Sequence, residues 1–252
     1  MDALIQARMS SSRLPGKVML PLAGKPVIEW VVERCRASTI IDRAVVLTST
    51  DPSDDVLEAW CLEKDVACYR GDLDDVLARY YHAAKQFNSD VFFRITADCP
   101  LIDPDVLTAV GIGFLSGEYD YYGLQGGFPD GLDCVAIRFD ALETAYLRAA
   151  LPSEREHVGP YIEKHPELFK LGGLQLFDKL ESHRWTLDEP EDYEFLNKLV
   201  KSAQESGELF NTVGFLQTLR RNPQLLEMNS HIIRNEGYAK SLAADGERTN
   251  VD

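Results

Sequence analysis

Short apolar runs of strand length alternate with amphipathic stretches of helix length along most of this chain. The run at residues 91–93, Val-Phe-Phe, shows no alternation of polar and apolar side chains, as expected for a strand covered on both faces of its sheet. Strands that alternate with helices of about 10 to 15 residues indicate βαβ units and a largely parallel sheet. The sequence therefore predicts an α/β fold with three layers and a mostly parallel sheet.

The pattern places the individual elements as follows. Strands are predicted at residues 3–5, 43–49, 66–69, 90–96, 133–138, 171–177 and 184–187. Helices are predicted after Pro26, after Ser53, at 73–87 and 104–114, after Asp140, at 193–204, and as short pieces at 213–220 and 223–228. We find no internal repeat or long linker, so residues 1–235 are predicted to form a single domain. The polar, charge-rich residues 236–252 are predicted to be a flexible tail.

The overall charge limits the partners of the protein. The chain has 26 Lys and Arg against 41 Asp and Glu, a formal net charge of −15, which disfavours nucleic acid and anionic membrane surfaces. No apolar segment reaches the roughly 18 residues that span a bilayer. The five cysteines are scattered without a Cys-x-x-Cys pair, which indicates small buried side chains of a reducing compartment. We therefore expect a cytoplasmic protein with no nucleic-acid and no membrane partner.

A cationic loop follows the first predicted strand. It carries Arg8, Arg13 and Lys17 among three serines, and so supplies the charge and donors that a polyphosphate requires. The alternative interpretation is an ordinary solvated surface loop. The loop is not a Walker A motif, because Gly16-Lys17 is followed by Val18 and lacks the upstream glycine.

Two aspartates directly follow predicted strands. Asp98 comes after the strand at 90–96, and Asp188 after the one at 184–187. Ligands bind outside the carboxyl ends of strands in open α/β sheets, and Mg²⁺ prefers one or two carboxylates together with phosphate oxygens. Asp98 could instead cap the turn before Pro100. With the cationic loop, the two carboxylates would suit phosphoryl or nucleotidyl transfer.

Several motifs together resemble a known family, the cytidylyltransferases that activate acidic sugars. Residues 5–17 are similar to its N-terminal signature, which ends Arg-Leu-Pro-Gly-Lys, and further segments match in order at 70–79, 95–100, 128–133, 152–158 and 185–192. The likeness covers roughly residues 3–200 and is greatest to the spore-coat polysaccharide cytidylyltransferase-like branch.

The resemblance implies a nucleotide-diphospho-sugar transferase fold of the Rossmann-like GT-A type. It also implies transfer of CMP from CTP to an acidic sugar with release of pyrophosphate, dependence on Mg²⁺, and a role in surface polysaccharide or glycan biosynthesis. Relatives commonly form homodimers, which directs attention to residues 126–138 as a contact.

The resemblance assigns roles to individual residues of this chain. The catalytic set would be Arg8, Arg13, Lys17 and Asp98. Nucleotide binding would involve Gln6, Ala7, Ser12, Gly16, Thr48, Ser49, Arg70 and Arg79. The acceptor would meet Asp133, Glu154 and His157, and the metal would be bound by Asp98 and Asp188.

Two segments depart from the pattern of the better-studied sugar-acid enzymes. These enzymes have a different spacing around residues 70–79. They have a Gly-Asp-Glu/Gln-Pro-like segment where this chain has Ala97-Asp98-Cys99-Pro100. The metal ligand is kept, but the sugar and the base stay open. The alternatives are another nucleoside triphosphate, a phosphate or phosphonate acceptor, and a catalytically inactive nucleotide-binding homologue.

Overall fold

The computed structural model describes residues 1–234 and 236–248. Its strands are β1 (Asp2–Gln6), β2 (Pro21–Leu22), β3 (Lys25–Pro26), β4 (Arg43–Ser49), β5 (Ala67–Gly71), β6 (Val91–Thr96), β7 (Tyr121–Gly126), β8 (Val135–Arg138) and β9 (Leu171–Phe177). Its α-helices are α1 (Val27–Ala37), α2 (Asp55–Glu63), α3 (Val76–Phe87), α4 (Pro104–Ser116), α5 (Phe139–Arg148), α6 (Pro152–His157), α7 (Pro160–Lys164), α8 (Pro190–Glu205), α9 (Thr212–Arg221) and α10 (Glu236–Arg248). Short 3₁₀ turns lie at Lys17–Met19, Pro52–Asp54 and Pro223–Glu227.

Within the described residues the main sheet has seven strands in the order β5-β4-β1-β6-β8-β7-β9. Strand β8 runs antiparallel to both neighbours, and the other pairs are parallel. In the centre, Gln6 lies opposite both Leu47 and Thr96. Strands β1 and β6 therefore end level, and β4 extends two residues further, so that the segments after all three leave from one edge of the sheet.

The side chains of β1 alternate between two layers of helices. Ala3 and Ile5 pack in a cluster with residues of α1, α2 and α4, whereas Leu4 packs with residues of α3, α5 and α7. A third cluster joins α8 and α9 around Trp185, which is fully buried. The predicted three-layer α/β fold with a mostly parallel sheet is confirmed.

One predicted strand is absent from the structure, and one observed strand was not predicted. Residues 184–187 form no strand and make a single bridge between Arg184 and Asp130, because the segment runs past the loop that contains Asp130 and not along a sheet edge. Conversely, β7 was not predicted, since Tyr-Tyr-Gly-Leu-Gln-Gly contains two glycines and no β-branched residue.

The C-terminal segment also differs from the prediction of a flexible tail. Residues 236–248 form helix α10, which packs against α6. Asp245 accepts hydrogen bonds from the Ser153 backbone N–H (2.9 Å) and Oγ (2.6 Å). This tertiary anchor is the physical reason for the helix. Residues 249–252 of the predicted tail lie outside the described residues. Among the described helices, none has the length and apolar character needed to cross a membrane.

Candidate active site

The cationic loop is held in shape by its backbone and by one buried carboxylate. Met9 accepts hydrogen bonds from the N–H groups of Ser11 (3.0 Å) and Gly16 (2.9 Å), and Gly16 turns the chain with φ 72°, a conformation that favours glycine. Asp54, with no exposed surface, accepts a hydrogen bond from the Met9 N–H at 2.7 Å. The loop then enters the turn Lys17–Met19, which points Lys17 back towards the sheet edge.

Lys17 lies between the two predicted metal ligands. Its ammonium donates to Asp98 Oδ2 at 2.7 Å and to Asp188 Oδ1 at 2.8 Å. The carboxylates converge because the chain around 186–188 is hydrogen bonded to the turn after β6: the Leu187 N–H donates to the Asp98 carbonyl at 2.8 Å. Residues 17, 98 and 188 thus meet at one point on the carboxyl edge of the sheet.

These ion pairs shift the titration of their members. Burial by itself lowers the pKa of Lys17, but the charges of Asp98 and Asp188 outweigh burial and raise it. Burial by itself raises the pKa of Asp98, whereas Lys17 and hydrogen bonds lower it to about 2. Asp98 is therefore available as an anion, and Lys17 as a cation, at neutral pH.

Arg13 and Arg184 surround the same carboxylates. The Arg13 guanidinium forms ion pairs with Asp188 (3.0 Å), Glu189 (2.8 Å) and Glu236 of α10 (2.9 Å). Arg184 lies below them and makes a bidentate pair with the buried Asp192, with both distances 2.9 Å. The backbone of Asp188 is fixed because its N–H donates to Asp192 at 3.0 Å.

A cleft of about 720 Å³ opens above this cluster. The predicted site residues that line it are Gln6, Ala7, Arg8, Ser12, Arg13, Lys17, Arg79, Asp98, His157 and Asp188. A smaller cavity of about 290 Å³ shares part of this lining and adds Asp133 from the predicted set. The structure thus brings together 11 predicted residues around two connected cavities.

Two cations in the cleft have little or no compensation from the protein. Arg8 is exposed and makes no hydrogen bond or ion pair to residues 1–234 or 236–248. Arg79 is 2% exposed, and its Nε has no partner among the described residues. Burial lowers the pKa of Arg79, and the charge of Arg8 contributes. A buried cation without a counterion is costly, so this wall of the cleft would be stabilised by an anion.

The other predicted residues lie away from both cavities. Thr48 and Ser49 are fully buried, and Ser49 donates from its N–H and Oγ to Asp54 at 3.0 and 2.5 Å. Arg70 turns towards the Ser49 carbonyl and the carboxylates of α2. Gly16 serves the loop turn, and Glu154 caps α6 by accepting from the backbone N–H groups of residues 150 and 151. The predicted contacts of these residues with ligands are not supported by their positions.

Sequence reasoning missed the contribution of the C-terminal helix and of one arginine. Gly237, Lys240, Ser241 and Ala244 of α10 line the cleft, and Tyr238 lines the smaller cavity. His157 Nε2 lies 2.9 Å from the Ser241 Oγ, and burial lowers the pKa of His157. Arg94 on β6, four residues before Asp98, also lines the smaller cavity. The signal available in the sequence was a charged residue within an otherwise apolar strand.

The donor set suits a divalent cation that also contacts phosphate. Within the described residues no group of three or more His, Cys, Asp or Glu side chains is arranged to hold a metal. Two carboxylates, Asp98 and Asp188, already share one point cation, the Lys17 ammonium. Mg²⁺ is commonly bound by one or two carboxylates together with substrate phosphates, so these residues fit Mg²⁺ in the presence of a nucleotide.

Comparison with known proteins identifies the class. The chain belongs to the cytidylyltransferase family, whose model matches residues 3–231. It is 34% identical over 239 residues to the protein MJ1063 of Methanocaldococcus jannaschii, covering 93% of this chain and 96% of that protein. It is 31% identical over 227 residues to the spore coat polysaccharide biosynthesis protein SpsF of Bacillus subtilis, covering 87% and 94%. The protein is therefore a nucleotidyltransferase, as predicted.

Further relatives share part of the sequence or the fold. A 3-deoxy-manno-octulosonate cytidylyltransferase of Synechococcus elongatus is 34% identical over 127 residues, about half of each chain. The solved structure of a cytidylyltransferase from Leptospira borgpetersenii superposes with a TM-score of 0.83 at 34% identity, over 89% of this chain and 95% of that one. A CMP:2-keto-3-deoxy-manno-octonic acid synthetase solved with CTP shares the fold, with a TM-score of 0.62 at 18% identity over 81% and 98%.

Proposed function

We propose that this protein transfers CMP from CTP to an acidic sugar and releases pyrophosphate, in a Mg²⁺-dependent reaction of polysaccharide or glycan biosynthesis. The observation that carries the proposal is the contact of Lys17 with both Asp98 and Asp188 at the cleft. The cleft is also lined by Arg8 and Arg79, which form no ion pair with a carboxylate among the described residues. This arrangement offers carboxylates for a metal and cations for a triphosphate at one sheet edge. The acidic sugar is suggested by the relatives that are named for 3-deoxy-manno-octulosonate.

The residues of the chain then have distinct tasks. A hydroxyl of the acceptor attacks the α-phosphorus in line with the departing pyrophosphate, so the negative charge that grows on the leaving group must be offset. Arg8, Arg13 and Lys17 supply this compensation from the loop. Asp98 and Asp188 would hold Mg²⁺, which when bound withdraws charge from phosphate oxygens. A covalent intermediate with the enzyme is not required.

The base and acceptor are tested together by product formation. The purified protein is incubated with each of the four nucleoside triphosphates, MgCl₂, and acceptors that include 3-deoxy-manno-octulosonate, N-acetylneuraminate and sugar phosphates. Pyrophosphate release and the product mass should show transfer only from CTP and only to an acid. Transfer from another nucleotide would contradict the cytidine assignment, and transfer to a phosphate or phosphonate would favour the alternative acceptor. Tight CTP binding without turnover on any acceptor would indicate an inactive homologue.

The metal ligands are tested by a conservative substitution. Asp98→Asn keeps the size of the side chain but removes the charge, and we expect kcat to fall by about 10³-fold or more, in the range seen when a charge-stabilising group is removed. The far-ultraviolet circular dichroism should be unchanged. Asp105→Asn, at the exposed start of α4, is the matched control and should keep full activity. A fully active Asp98→Asn enzyme would remove Asp98 from the proposed metal site.

We also propose that the protein forms a homodimer, because related proteins commonly do so. The segment first considered for the contact is engaged within the chain, since Leu132 is fully buried and Asp130 pairs with Arg184 at 3.1 Å. A dimer contact at 126–138 would therefore use the exposed residues of this segment, such as Gly126 and Asp133. Light scattering coupled to size exclusion should give a mass near 57 kDa, about twice the 28.3 kDa of the chain, and a value near one chain mass would contradict it.

A further inference from the structure

Arg94 is a partly buried charged side chain that the chemistry described so far does not use. It lies on β6, between the fully buried Phe93 and Ile95. Its Nε is buried and has no hydrogen-bond partner in the part of the chain that the structure describes. Its guanidinium borders the cavity of about 290 Å³ that opens beside Asp98, a volume near the lower end for small-ligand pockets.

The surroundings of Arg94 leave its charge uncompensated. Within residues 1–234 and 236–248 it forms no ion pair, whereas Arg184 in the same cavity pairs with Asp130, Asp188 and Asp192. Burial lowers the pKa of His157 and the charge of Glu156 raises it, while the charge of Arg94 also lowers it. Because a partly buried guanidinium without a counterion is incompletely stabilised, the position suits an anion supplied from outside the chain.

The charge of the cavity decides between a carboxylate and a phosphate. Its lining includes three arginines and five carboxylates, namely Arg13, Arg94 and Arg184 with Asp98, Asp130, Asp133, Asp188 and Glu236. A dianionic phosphate would be repelled by this excess of negative charge. A single carboxylate matches the planar fork of one guanidinium, and the remaining acidic groups can accept hydrogen bonds from hydroxyls. The lining thus suits a polyhydroxylated carboxylic acid.

We propose that this cavity is the acceptor subsite and that Arg94 is its specificity-determining residue, binding the carboxylate of the sugar acid. The inference rests on the proposed function and goes beyond it by naming the group that recognises the acid. Asp130 and Asp133, which line the same cavity, accept hydrogen bonds from the hydroxyls of the sugar. The subsite adjoins Asp98 and Lys17, so an acceptor held there lies next to the triphosphate end of the larger cleft.

The experiment compares each acid with its uncharged methyl ester. Steady-state kinetics with CTP and MgCl₂ are measured for 3-deoxy-manno-octulosonate and N-acetylneuraminate and for their methyl esters, in wild type, Arg94→Gln and Arg94→Lys. Arg94→Gln should raise KM for the acid about 100-fold and leave KM for the ester and for CTP unchanged, because a charge-assisted bidentate contact is lost. Arg94→Lys, which keeps the charge but not the fork, should raise it about 10-fold. Arg138→Gln, an arginine on β8 that pairs with Asp120, is the matched control and should behave as wild type.

A stability measurement separates recognition from structure. Because Arg94 has no partner in the described part of the protein, Arg94→Gln should leave Tm unchanged or raise it. A variant that melts several degrees below wild type would show a structural role and overturn the proposal. Equal preference for acid over ester in wild type and in Arg94→Gln would also overturn it, as would turnover with sugar phosphates and with none of the acids.

Failure of the proposed function would be seen separately. If wild type releases no pyrophosphate with any acceptor, the transferase assignment fails, and calorimetric titration of the same acids into the CTP-bound protein decides the role of Arg94. Binding that is lost in Arg94→Gln would support the subsite without the reaction. Absent binding in wild type, or equal binding in both proteins, would overturn it.

Discussion

Asp54 shows how one buried carboxylate can set the geometry of a loop without touching a ligand. It accepts hydrogen bonds from the backbone N–H of Met9 and from both the N–H and the hydroxyl of Ser49. It thereby ties the cationic loop after β1 to the end of β4. Ser49, for which contact with the nucleotide was predicted, donates to the residue that positions the loop.

Asp54→Asn replaces an acceptor of three hydrogen bonds by a group that must also donate. We expect unfolding to become easier by about 2 kcal/mol, since a buried donor loses its partner, and KM for CTP to rise as the loop loosens. Urea titration and CTP kinetics check the two effects. Asp55→Asn, at the exposed start of α2, should change stability by less than about 0.5 kcal/mol. Equal stability of the two variants would contradict the positioning role.

Asp130 gives the molecule a specific pH dependence. Burial and the neighbouring Asp133 raise the pKa of Asp130 to about 6, against the opposing charges of Arg234 and Arg184. The folded protein therefore favours the protonated carboxyl, a contribution to stability that is fully present below pH 4 and is lost as the pH rises through 6.

Relative to Asp130→Asn, the free energy of unfolding of wild type should thus fall by about 2 kcal/mol between pH 4 and pH 7. Urea unfolding of both proteins at half-unit intervals of pH measures this difference. The difference in free energy of unfolding between the two proteins should be constant above pH 7. A difference that stays constant from pH 4 to pH 7, or one that rises, would contradict a raised pKa at this position.

Helix α10 is the main difference between the site predicted from the sequence and the site in the structure. It covers one side of both cavities and contacts the loop through Glu236 and Arg13. Its attachment to α6 depends on hydrogen bonds between Asp245 and Ser153, and on Ser241, whose Oγ lies 2.9 Å from His157 Nε2.

Asp245→Ala should detach this helix, because the Ser153 N–H and hydroxyl lose their acceptor. We expect faster amide hydrogen exchange over residues 236–248, a several-fold higher KM for the acceptor, and little change in exchange within the central strands. Leu242→Ala, a half-exposed position of the same helix, is the control that preserves the anchor. Unaltered exchange in Asp245→Ala would show that other contacts hold α10.

The sequence allowed prediction of those elements whose structure is determined locally. The apolar runs at 43–49 and 90–96 became β4 and β6 because such segments have to be buried. The run at 171–177 became β9, although none of its residues is fully buried. Strand β7 and helix α10 were missed because both depend on partners: β7 lies between β8 and β9, and α10 depends on Ser153. In the site, the loop and strand-end carboxylates were predictable from charge and position. The charge of Arg94 within an apolar strand was visible in the sequence, but only the fold shows that its Nε has no partner among the described residues.

On the scale of the whole molecule, the site is where distant parts of the chain are joined. Lys17, Asp98 and Asp188 belong to the first, middle and last thirds of the 252-residue sequence, and their ion pairs connect the loop after β1, the turn after β6 and the segment before α8. The protein carries a net charge of −15, so two carboxylates brought together here depend on a local cation. Without a metal, Lys17 is the cation that pairs with both of them, whereas Arg13 and Arg184 pair with Asp188.

This dependence predicts that Mg²⁺ stabilises a variant that lacks Lys17 more than it stabilises wild type. Lys17→Met leaves Asp98 and Asp188 facing each other without their shared ammonium, which should lower the free energy of unfolding by about 2 kcal/mol. A cation that binds only the folded protein restores stability by mass action, and in the variant it meets no competing ammonium. Tm should therefore rise with MgCl₂ by several degrees in Lys17→Met and by less in wild type, with equal concentrations of NaCl plus a chelator as the reference. Lys64→Met, which removes a surface ion pair with Glu29, should respond as wild type does. The same Mg²⁺-dependent rise in Lys17→Met and wild type would mean that Asp98 and Asp188 do not form the cation site.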